Sequence, residues 1–223
     1  KGLADKIRIV ALNHHDLTNP IGTCSKAAVS LMATSQYTQT VNGSEYADYA
    51  EVYGGNKSTY RKITEERGDK IVNTLSTSKI LANNVKMVNK YVLAMGNADA
   101  TQNAVTISVK YFLPSQSEII GSDTSYGAGG AYLNANYSSD AYYYNKGYGN
   151  TKEGSQLEYF KTYVNRVNLW QSTIQSTGTA LSTKYKGDYN FYIYAYGSSS
   201  SRGCLGSTAS SNATLNFLPI FCI

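Results

Sequence analysis

The stretch "VTISVKYFLPSQSEIIG", residues 105–121, contains the clearest structural signals in this chain. β-branched and aromatic residues dominate its first half, which is typical of a buried strand. Pro114 ends that strand, because proline cannot donate a hydrogen bond to a neighbouring strand. Ser115 and Glu118 then follow with the S-x-x-E spacing of a helix capping box. The stretch therefore predicts a strand followed at once by a short helix.

The chain before this stretch contains further strand and helix signals. In "KIRIVALNHHDL", residues 6–17, Ile7, Ile9 and Ala11 alternate with Lys6, Arg8 and Val10, which predicts a strand that leads into a polar turn in "NHHDLTNP". "SKAAVSLMATSQYT", residues 25–38, fits a helix or a strand. Residues 59–82 have an imperfect apolar stripe and are the best helix candidate, with Gly68 dividing the segment. "VNKYVLA", residues 88–94, favours a strand.

The chain after this stretch predicts mainly strands and loops. "EGSQLEYFKTYVNR", residues 153–166, fits one or two helical turns. "NFYIYAYG", residues 190–197, predicts a strand, "SSSSRG" a loop, "CLGS" a short strand and "TASSNA" a turn. "TLNFLPIFCI", residues 214–223, is apolar to its last position, which predicts a core strand and a C-terminus buried in a sheet.

The composition indicates a surface made of neutral polar groups and phenols. Charged residues are 16% of the 223-residue chain, whereas tyrosine occurs 21 times and glycine 19 times. Such mixtures are typical of extracellular binding proteins and virion proteins, and of antibody paratopes. The net charge of +5 comes from scattered lysines, so no nucleic-acid partner is expected. No run approaches the roughly 20 apolar residues that span a membrane, so no membrane insertion is expected.

Reactive residues give no catalytic or metal-binding pattern. The three cysteines, Cys24, Cys204 and Cys222, allow at most one disulfide, and unpaired buried thiols are favoured over a Cys204–Cys222 bond. His14 and His15 are adjacent, and adjacent residues of a strand point in opposite directions, so we do not expect both to face one ion. Asp16 is expected to accept backbone N–H groups in the turn. We therefore expect no metal, no cofactor and no enzymatic activity.

Five segments, in this order, carry a resemblance to a known family. They are "NHHD", "YFLPSQSEIIG", "EGSQLEYFK", an aromatic pair that leads to "GSSSSRGC", and "FLPIFCI" at the end of the chain. The chain resembles uncharacterised C-type-lectin-like domains at the C-termini of gut phage tail and receptor-binding proteins and of bacterial surface proteins, whose last residues are VRPAFCI-like. By order and spacing, Phe191 and Tyr192 stand at the family's Trp pair, Tyr194 at its Arg and Tyr196 at its Pro. The Trp pair itself is absent here, and the Tyr-rich insertion is longer.

The resemblance implies one α+β domain over residues 1–223 that belongs to a longer polypeptide. Its fold would be C-type-lectin-like, with a twisted antiparallel sheet, one or two helices and long irregular loops. Residues 121–150, rich in glycine and tyrosine, would form a long loop or an insertion. The implied location is a virion or an extracellular surface.

The tyrosine-rich segments are the candidate contact surfaces. In the strand at 190–197, Phe191 and Ile193 are expected on the core side. The same pattern also fits a strand with one solvent-exposed, tyrosine-rich face and an ordinary serine loop, neither of which binds a partner. The candidate ligand-binding residues are Tyr192, Tyr194, Tyr196, Ser198, Ser199, Ser200 and Arg202. The candidate subunit-interface residues are Tyr132, Tyr137, Tyr142, Tyr143, Tyr144 and Tyr148. Their segment also fits a ligand-contacting loop or a disordered linker.

These features lead to two main functional hypotheses. The first is a virion or cell-surface adhesin, such as a phage tail-fibre or receptor-binding domain, that contacts a bacterial surface glycan or protein. The alternative is a structural virion protein, such as a fibre, decoration or capsid-associated subunit, whose tyrosine-rich segments contact other virion subunits. Both imply a homo-oligomer. A more distant third hypothesis is an enzyme on the same fold that uses a cysteine.

Overall fold

The computed structural model shows a sheet-rich α+β protein, as expected from the sequence. It describes residues 7–34, 38–40, 59–75, 80–92, 105–120, 153–162, 165, 179–184, 190–194, 205–209 and 214–223. The segments 121–150 and 195–204, on which many of the predicted contact residues lie, are outside the described residues. Among the described helices, none is long and apolar enough to cross a membrane.

Strands outnumber helices in the described part of the chain. The helices are α1 (Thr59–Leu75), α2 (Ile80–Asn84) and α3 (Gln116–Ile120), with a 3-10 helix at Glu158–Lys161. The strands are β1 (Ile7–Leu12), β2 (Asp16–Ile21), β3 (Cys24–Lys26), β4 (Val29–Ala33), β5 (Thr38–Thr40), β6 (Val88–Val92), β7 (Val105–Val109), β8 (Tyr111–Phe112), β9 (Thr179–Lys184), β10 (Asn190–Tyr194), β11 (Leu205–Ala209), β12 (Thr214–Asn216) and β13 (Ile220–Cys222).

The strands form three sheets. Two four-stranded sheets, in the orders β1-β4-β13-β8 and β3-β2-β6-β7, are antiparallel. A five-stranded sheet, in the order β11-β10-β9-β12-β5, has one parallel pair, β9 with β12. The first and last strands, β1 and β13, both pair with β4. The two ends of the described chain are therefore joined in one sheet.

Strand β1 lies where the sequence predicts it, but its alternation is interrupted. The register with β4 shifts between Ile9 and Ala11, which is the signature of a bulge. Val10 and Ala11 are consequently both buried, whereas Ile9 is 56% exposed. The expectation that Ile7, Ile9 and Ala11 share one face fails at Ile9, because a bulge offsets the period-2 pattern by one residue.

The polar turn after β1 is shorter than the sequence suggests. It covers Asn13–His15, and strand β2 begins at Asp16 and continues through Pro20. Asn13 has a φ of 46°, a left-handed conformation in which asparagine is enriched. Its N–H donates to the carbonyl of Ala28 at 3.1 Å, which ties the turn to the start of β4.

Helix α1 runs through Gly68 without a break, contrary to the prediction that this glycine divides the segment. The helix packs on β8, and a Cβ at position 68 would overlap the ring of Tyr111. Glycine is therefore required there for close packing and not for a turn. Residues 80–84, at the end of the predicted region, form the separate helix α2.

The C-terminal segment is buried as predicted but is divided into two strands. Residues 217–219 interrupt it between β12 and β13, and Pro219 occupies the last of these positions. Leu215, Phe217, Leu218 and the three residues of β13 are all buried. Ile223 exchanges two backbone hydrogen bonds with Val29, at 3.0 and 3.1 Å. The ambiguous segment 25–38 contains strand β4, so it forms strand and not helix over the residues described.

Candidate functional site

A buried polar cluster lies where strands of the two four-stranded sheets meet helix α3. Its members are His15 in the turn after β1, Ser30 on β4, Lys90 on β6, Glu118 on α3 and Cys222 on β13. Both side chains of the Lys90–Glu118 ion pair are almost completely buried. Buried charges of this kind require partners in the protein, because water no longer solvates them. The cluster supplies those partners itself.

The Glu118 carboxylate stands at the centre of this cluster. The predicted capping box is confirmed: the Ser115 N–H donates to Oε2 at 2.8 Å, and the Glu118 N–H donates to the Ser115 hydroxyl at 3.2 Å. The Lys90 ammonium also donates to Oε2, and His15 Nε2 lies 3.2 Å from Oε1. Burial by itself raises the pKa of Glu118, but the Lys90 charge and His15 outweigh it and lower that pKa to about 2.

His15 connects the carboxylate to the last strand of the protein. Its Nδ1 lies 2.8 Å from the Ser30 hydroxyl and 3.6 Å from the Cys222 sulfur. In the tautomer that satisfies every partner, Nε2–H donates to Glu118 and Nδ1 accepts from the Ser30 hydroxyl. Ser30 Oγ, 3.5 Å from Cys222 Sγ, then accepts from the thiol. The ring of Phe112 packs beside this chain of contacts, with its centroid 4.7 Å from that of His15 and 5.3 Å from Lys90 Nζ.

The segment that begins "EGSQLEYF" closes over Glu118. The Ser115 hydroxyl donates to the carbonyl of Glu153 at 3.1 Å, and the Leu157 N–H donates to the carbonyl of Glu118 at 2.8 Å. Gly154 has a φ of 114°, and a Cβ there would lie 3.2 Å from Glu118 Oε1. Only glycine combines that backbone conformation with so close an approach.

A small polar cleft of about 120 Å³ opens above the cluster. His14, Asp16, Lys26 and Tyr91 line it together with His15, Lys90 and Glu118. Asp16 accepts a hydrogen bond from the Tyr91 hydroxyl at 3.0 Å and lies 3.7 Å from Lys26 Nζ. These side-chain partners take the place of the backbone N–H groups that the sequence predicts for Asp16.

The two histidines lie together, contrary to the expectation from strand geometry. Their ring centroids are 4.7 Å apart in an edge-to-face arrangement. The alternation rule does not apply to them because they belong to the turn and not to a strand. One ligand atom from each of His14, His15 and Glu118 lies within 4.8 Å of the others. Burial, and then His15, lower the pKa of His14 to about 4.

The cluster contains the residue types of a hydrolase active site, but their burial and their arrangement around His15 differ from those of such a site. Ser30, His15 and Glu118 form a hydrogen-bonded series of the kind that activates a nucleophile. Ser30 and Cys222, however, have no solvent exposure, and both lie on the Nδ1 side of the imidazole, whereas Nε2 points to Glu118. Burial raises the pKa of Cys222 to about 12, so it remains a thiol at neutral pH. The free thiol of Cys222 agrees with the preference for unpaired cysteines, although Cys24 is exposed.

The structure places two of the predicted ligand-binding residues. Tyr192 and Tyr194 are on β10, opposite Ser207 and Leu205 of β11. The other predicted contact residues lie outside the described residues, as do the side chains of Phe191 and Ile193. Those outside are Tyr196, Ser198, Ser199, Ser200 and Arg202 of the ligand-binding set, and Tyr132, Tyr137, Tyr142, Tyr143, Tyr144 and Tyr148 of the interface set.

Sequence reasoning missed the role of Lys90, although a signal was present. Lys90 alternates with Val88 and Val92, and all three are buried on one face of β6. A lysine in an apolar strand pattern indicates a buried ion pair, because lysine is almost never fully buried without a partner.

The chain matches no protein-family model, no curated protein and no solved structure. Its own residues must therefore support any functional assignment.

Proposed function

We propose that this protein is a C-type-lectin-like binding domain that acts as a virion or cell-surface adhesin. In its most specific form, it is a phage tail-fibre or receptor-binding domain that contacts a bacterial surface glycan or protein. The supporting observation is that four of the five segments behind the family resemblance converge on the buried cluster. "NHHD" contributes His15, "YFLPSQSEIIG" contributes Glu118, "EGSQLEYFK" contributes Gly154, and "FLPIFCI" contributes Cys222.

This convergence gives the shared motifs a common physical task. Glu118 is separated from His15 by 103 positions, and Cys222 from His15 by 207. A chance likeness of scattered segments has no reason to bring them into mutual hydrogen-bond contact. A fold that depends on this cluster needs a contribution from each of these segments. The geometry thus favours a common scaffold with the resembled family, in which the motif residues maintain the fold.

A scaffold of this kind leaves contact with a partner to other surfaces. Strand β10 lies between β11 and β9, so its backbone is paired on both sides. Positions 192 and 194 are two residues apart on this strand, which is the spacing at which strand residues alternate back to the same side. The segment 195–204, which contains the predicted serines and Arg202, connects β10 to β11. A doubly paired strand that carries tyrosines, together with the segment 195–204 that follows it, is the contact surface that we propose for a glycan or protein partner.

The test is binding to cells. The purified chain is added to a panel of Gram-positive gut bacteria and to a glycan array, and the variant Tyr192→Ala/Tyr194→Ala/Tyr196→Ala is compared with it. We expect the triple variant to lose binding while its circular dichroism and melting temperature stay unchanged. The matched control is Tyr142→Ala/Tyr143→Ala/Tyr144→Ala, which removes three tyrosines from the other candidate segment and should still bind.

The same two variants separate the adhesin from the structural virion protein. If the intact chain binds no cell or glycan and the Tyr142–Tyr144 variant fails to form the oligomer of the intact chain, the structural hypothesis is favoured. If both variants bind cells as well as the intact chain, the tyrosines are not the contact surface and the proposal fails in its present form.

A further inference from the structure

We infer that His14, His15 and Glu118 form a binding site for a divalent transition-metal ion, zinc above all, at the floor of the polar cleft. Two imidazoles and one carboxylate are the donor set of several catalytic zinc sites, in which a fourth position is left to water. Here all three donor residues line the cleft of about 120 Å³, which has room for that water. The site goes beyond the proposed adhesin function, and neither depends on the other.

The spacing of the donor atoms fits one small ion. Two ligands at about 2.1 Å from a tetrahedral zinc lie about 3.4 Å apart. His15 Nε2 and Glu118 Oε1 are 3.2 Å apart, close to that separation, so an ion could bind both atoms from one side of the line that joins them after the proton on Nε2 has left. The His14 donor lies within 4.8 Å of both and must approach by a small rotation of a half-buried side chain.

The residues behind these donors hold them in position. With an ion on Nε2, the His15 proton lies on Nδ1 and donates to the Ser30 hydroxyl at 2.8 Å, the reverse of the ion-free tautomer, and this bond fixes the ring. The Ser115 N–H and the Lys90 ammonium hold Glu118 Oε2, so Oε1 remains directed at His15. Hydrogen bonds of this kind to the far side of each ligand are the usual support of a metal site.

The positive charges of Lys90 and Lys26 should weaken the affinity of this site for a cation, and removing one of them provides a test. Lys90 neutralises the carboxylate, and Lys26 lines the same cleft. Both oppose a cation, so we expect weaker binding than in a zinc site without cationic neighbours. Nitrogen donors favour zinc, cobalt and nickel over calcium and magnesium, which prefer oxygen.

The experiment measures zinc binding directly. The chain is treated with a chelator, dialysed and titrated with Zn²⁺ by calorimetry and by thermal shift, and Co²⁺ provides a visible absorption spectrum of the site. We expect Zn²⁺ to raise the melting temperature and Mg²⁺ to leave it unchanged. His14→Gln should weaken Zn²⁺ binding by at least about tenfold, because even the loss of a supporting residue has that effect. The His14→Gln variant should still fold, since the His14 side chain is outside the buried hydrogen-bonded cluster.

Two further variants distinguish this site from adventitious binding. Lys26→Gln removes a half-exposed cation from the cleft and should tighten Zn²⁺ binding, which no distant surface site would do. Cys24→Ser removes an exposed thiol and should have no effect. The proposal is overturned if His14→Gln binds Zn²⁺ as tightly as the intact chain, if Cys24→Ser abolishes binding, or if millimolar Zn²⁺ produces no shift.

Discussion

Lys90 and Glu118 form an ion pair whose side chains are only 1% and 2% exposed. The carboxylate of this pair also caps helix α3 and contacts His15. One side chain thus joins a helix, a strand and a turn that are remote in sequence. Buried pairs need not stabilise a protein more than apolar residues would, but breaking one leaves an uncompensated charge in the interior.

Removal of the Glu118 carboxylate is therefore expected to be strongly destabilising. Glu118→Ala leaves the Lys90 ammonium without its partner and should lower the free energy of unfolding by about 3–5 kcal/mol. Glu158→Ala is the matched control, because Glu158 pairs with Lys161 on the surface, with side chains 73% and 53% exposed. We expect it to change stability by less than about 0.5 kcal/mol. Denaturant unfolding measures both values.

The double variant Lys90→Met/Glu118→Gln refines this prediction. Glutamine keeps an oxygen for the cap, and methionine removes the buried charge. The double variant should lose less free energy of unfolding than Lys90→Met and Glu118→Gln lose in sum, because each single change leaves one member of the pair without its partner. Additive losses would contradict a direct coupling between the two residues.

Gly154 and Gly22 form a matched pair for testing the close approach to Glu118. Both have positive φ, 114° and 60°, but a Cβ at Gly22 meets no atom within 4 Å. Gly22→Ala should therefore cost only the backbone strain, about 1 kcal/mol. Gly154→Ala puts a Cβ against the Glu118 carboxylate and also places alanine in a rarer backbone conformation. We therefore expect it to lower the free energy of unfolding by about 3 kcal/mol. Equal melting temperatures for the two variants would show that Gly154 is not packed against Glu118.

Gly68→Ala tests a case in which local preference and tertiary packing oppose each other. Alanine improves helix propensity by about 1 kcal/mol, but its Cβ would overlap the ring of Tyr111. We expect net destabilisation, in contrast to Asn73→Ala at an exposed position of the same helix, which should be neutral or slightly stabilising. Tyr111→Ala, which removes the two Tyr111 atoms nearest to the Cβ at position 68, should cost less stability in the Gly68→Ala background than in the intact chain. A stabilised single variant would rule out this packing.

The contrast at Gly68 illustrates what local sequence signals can and cannot predict. The capping box, β6 and β13 follow from residues that are neighbours in the chain, and all three are found. The continuity of α1 depends on Tyr111, and the exposure of Ile9 depends on a bulge against β4. The cluster depends on Lys90 and His15 reaching the same carboxylate. Such relationships require the tertiary fold, because nothing in either local segment identifies the other.

Tyr111 gives a prediction for alkaline pH. Burial, together with a hydrogen bond to Asp69, raises the pKa of its hydroxyl well above the usual range. The unfolded state loses its phenolic proton near pH 10 while the folded state retains it, so stability falls as the pH rises beyond about 10. Tyr111→Phe should reduce this fall, and Tyr159→Phe should preserve it. Parallel stability curves for Tyr111→Phe and the intact chain between pH 9 and about 11 would contradict the prediction.

The cysteines should differ sharply in reactivity, because their environments differ. Cys24 is exposed, whereas Cys222 is fully buried beside Ser30, and its pKa is raised to about 12 by burial. Since the thiolate is the reactive form, a thiol reagent at pH 8 should label Cys24 within seconds and leave Cys222 unlabelled until the protein unfolds. Peptide-resolved mass spectrometry reads each site separately in one sample. Labelling of Cys222 in denaturant provides the positive control, and rapid native labelling there would exclude the closed cluster described above.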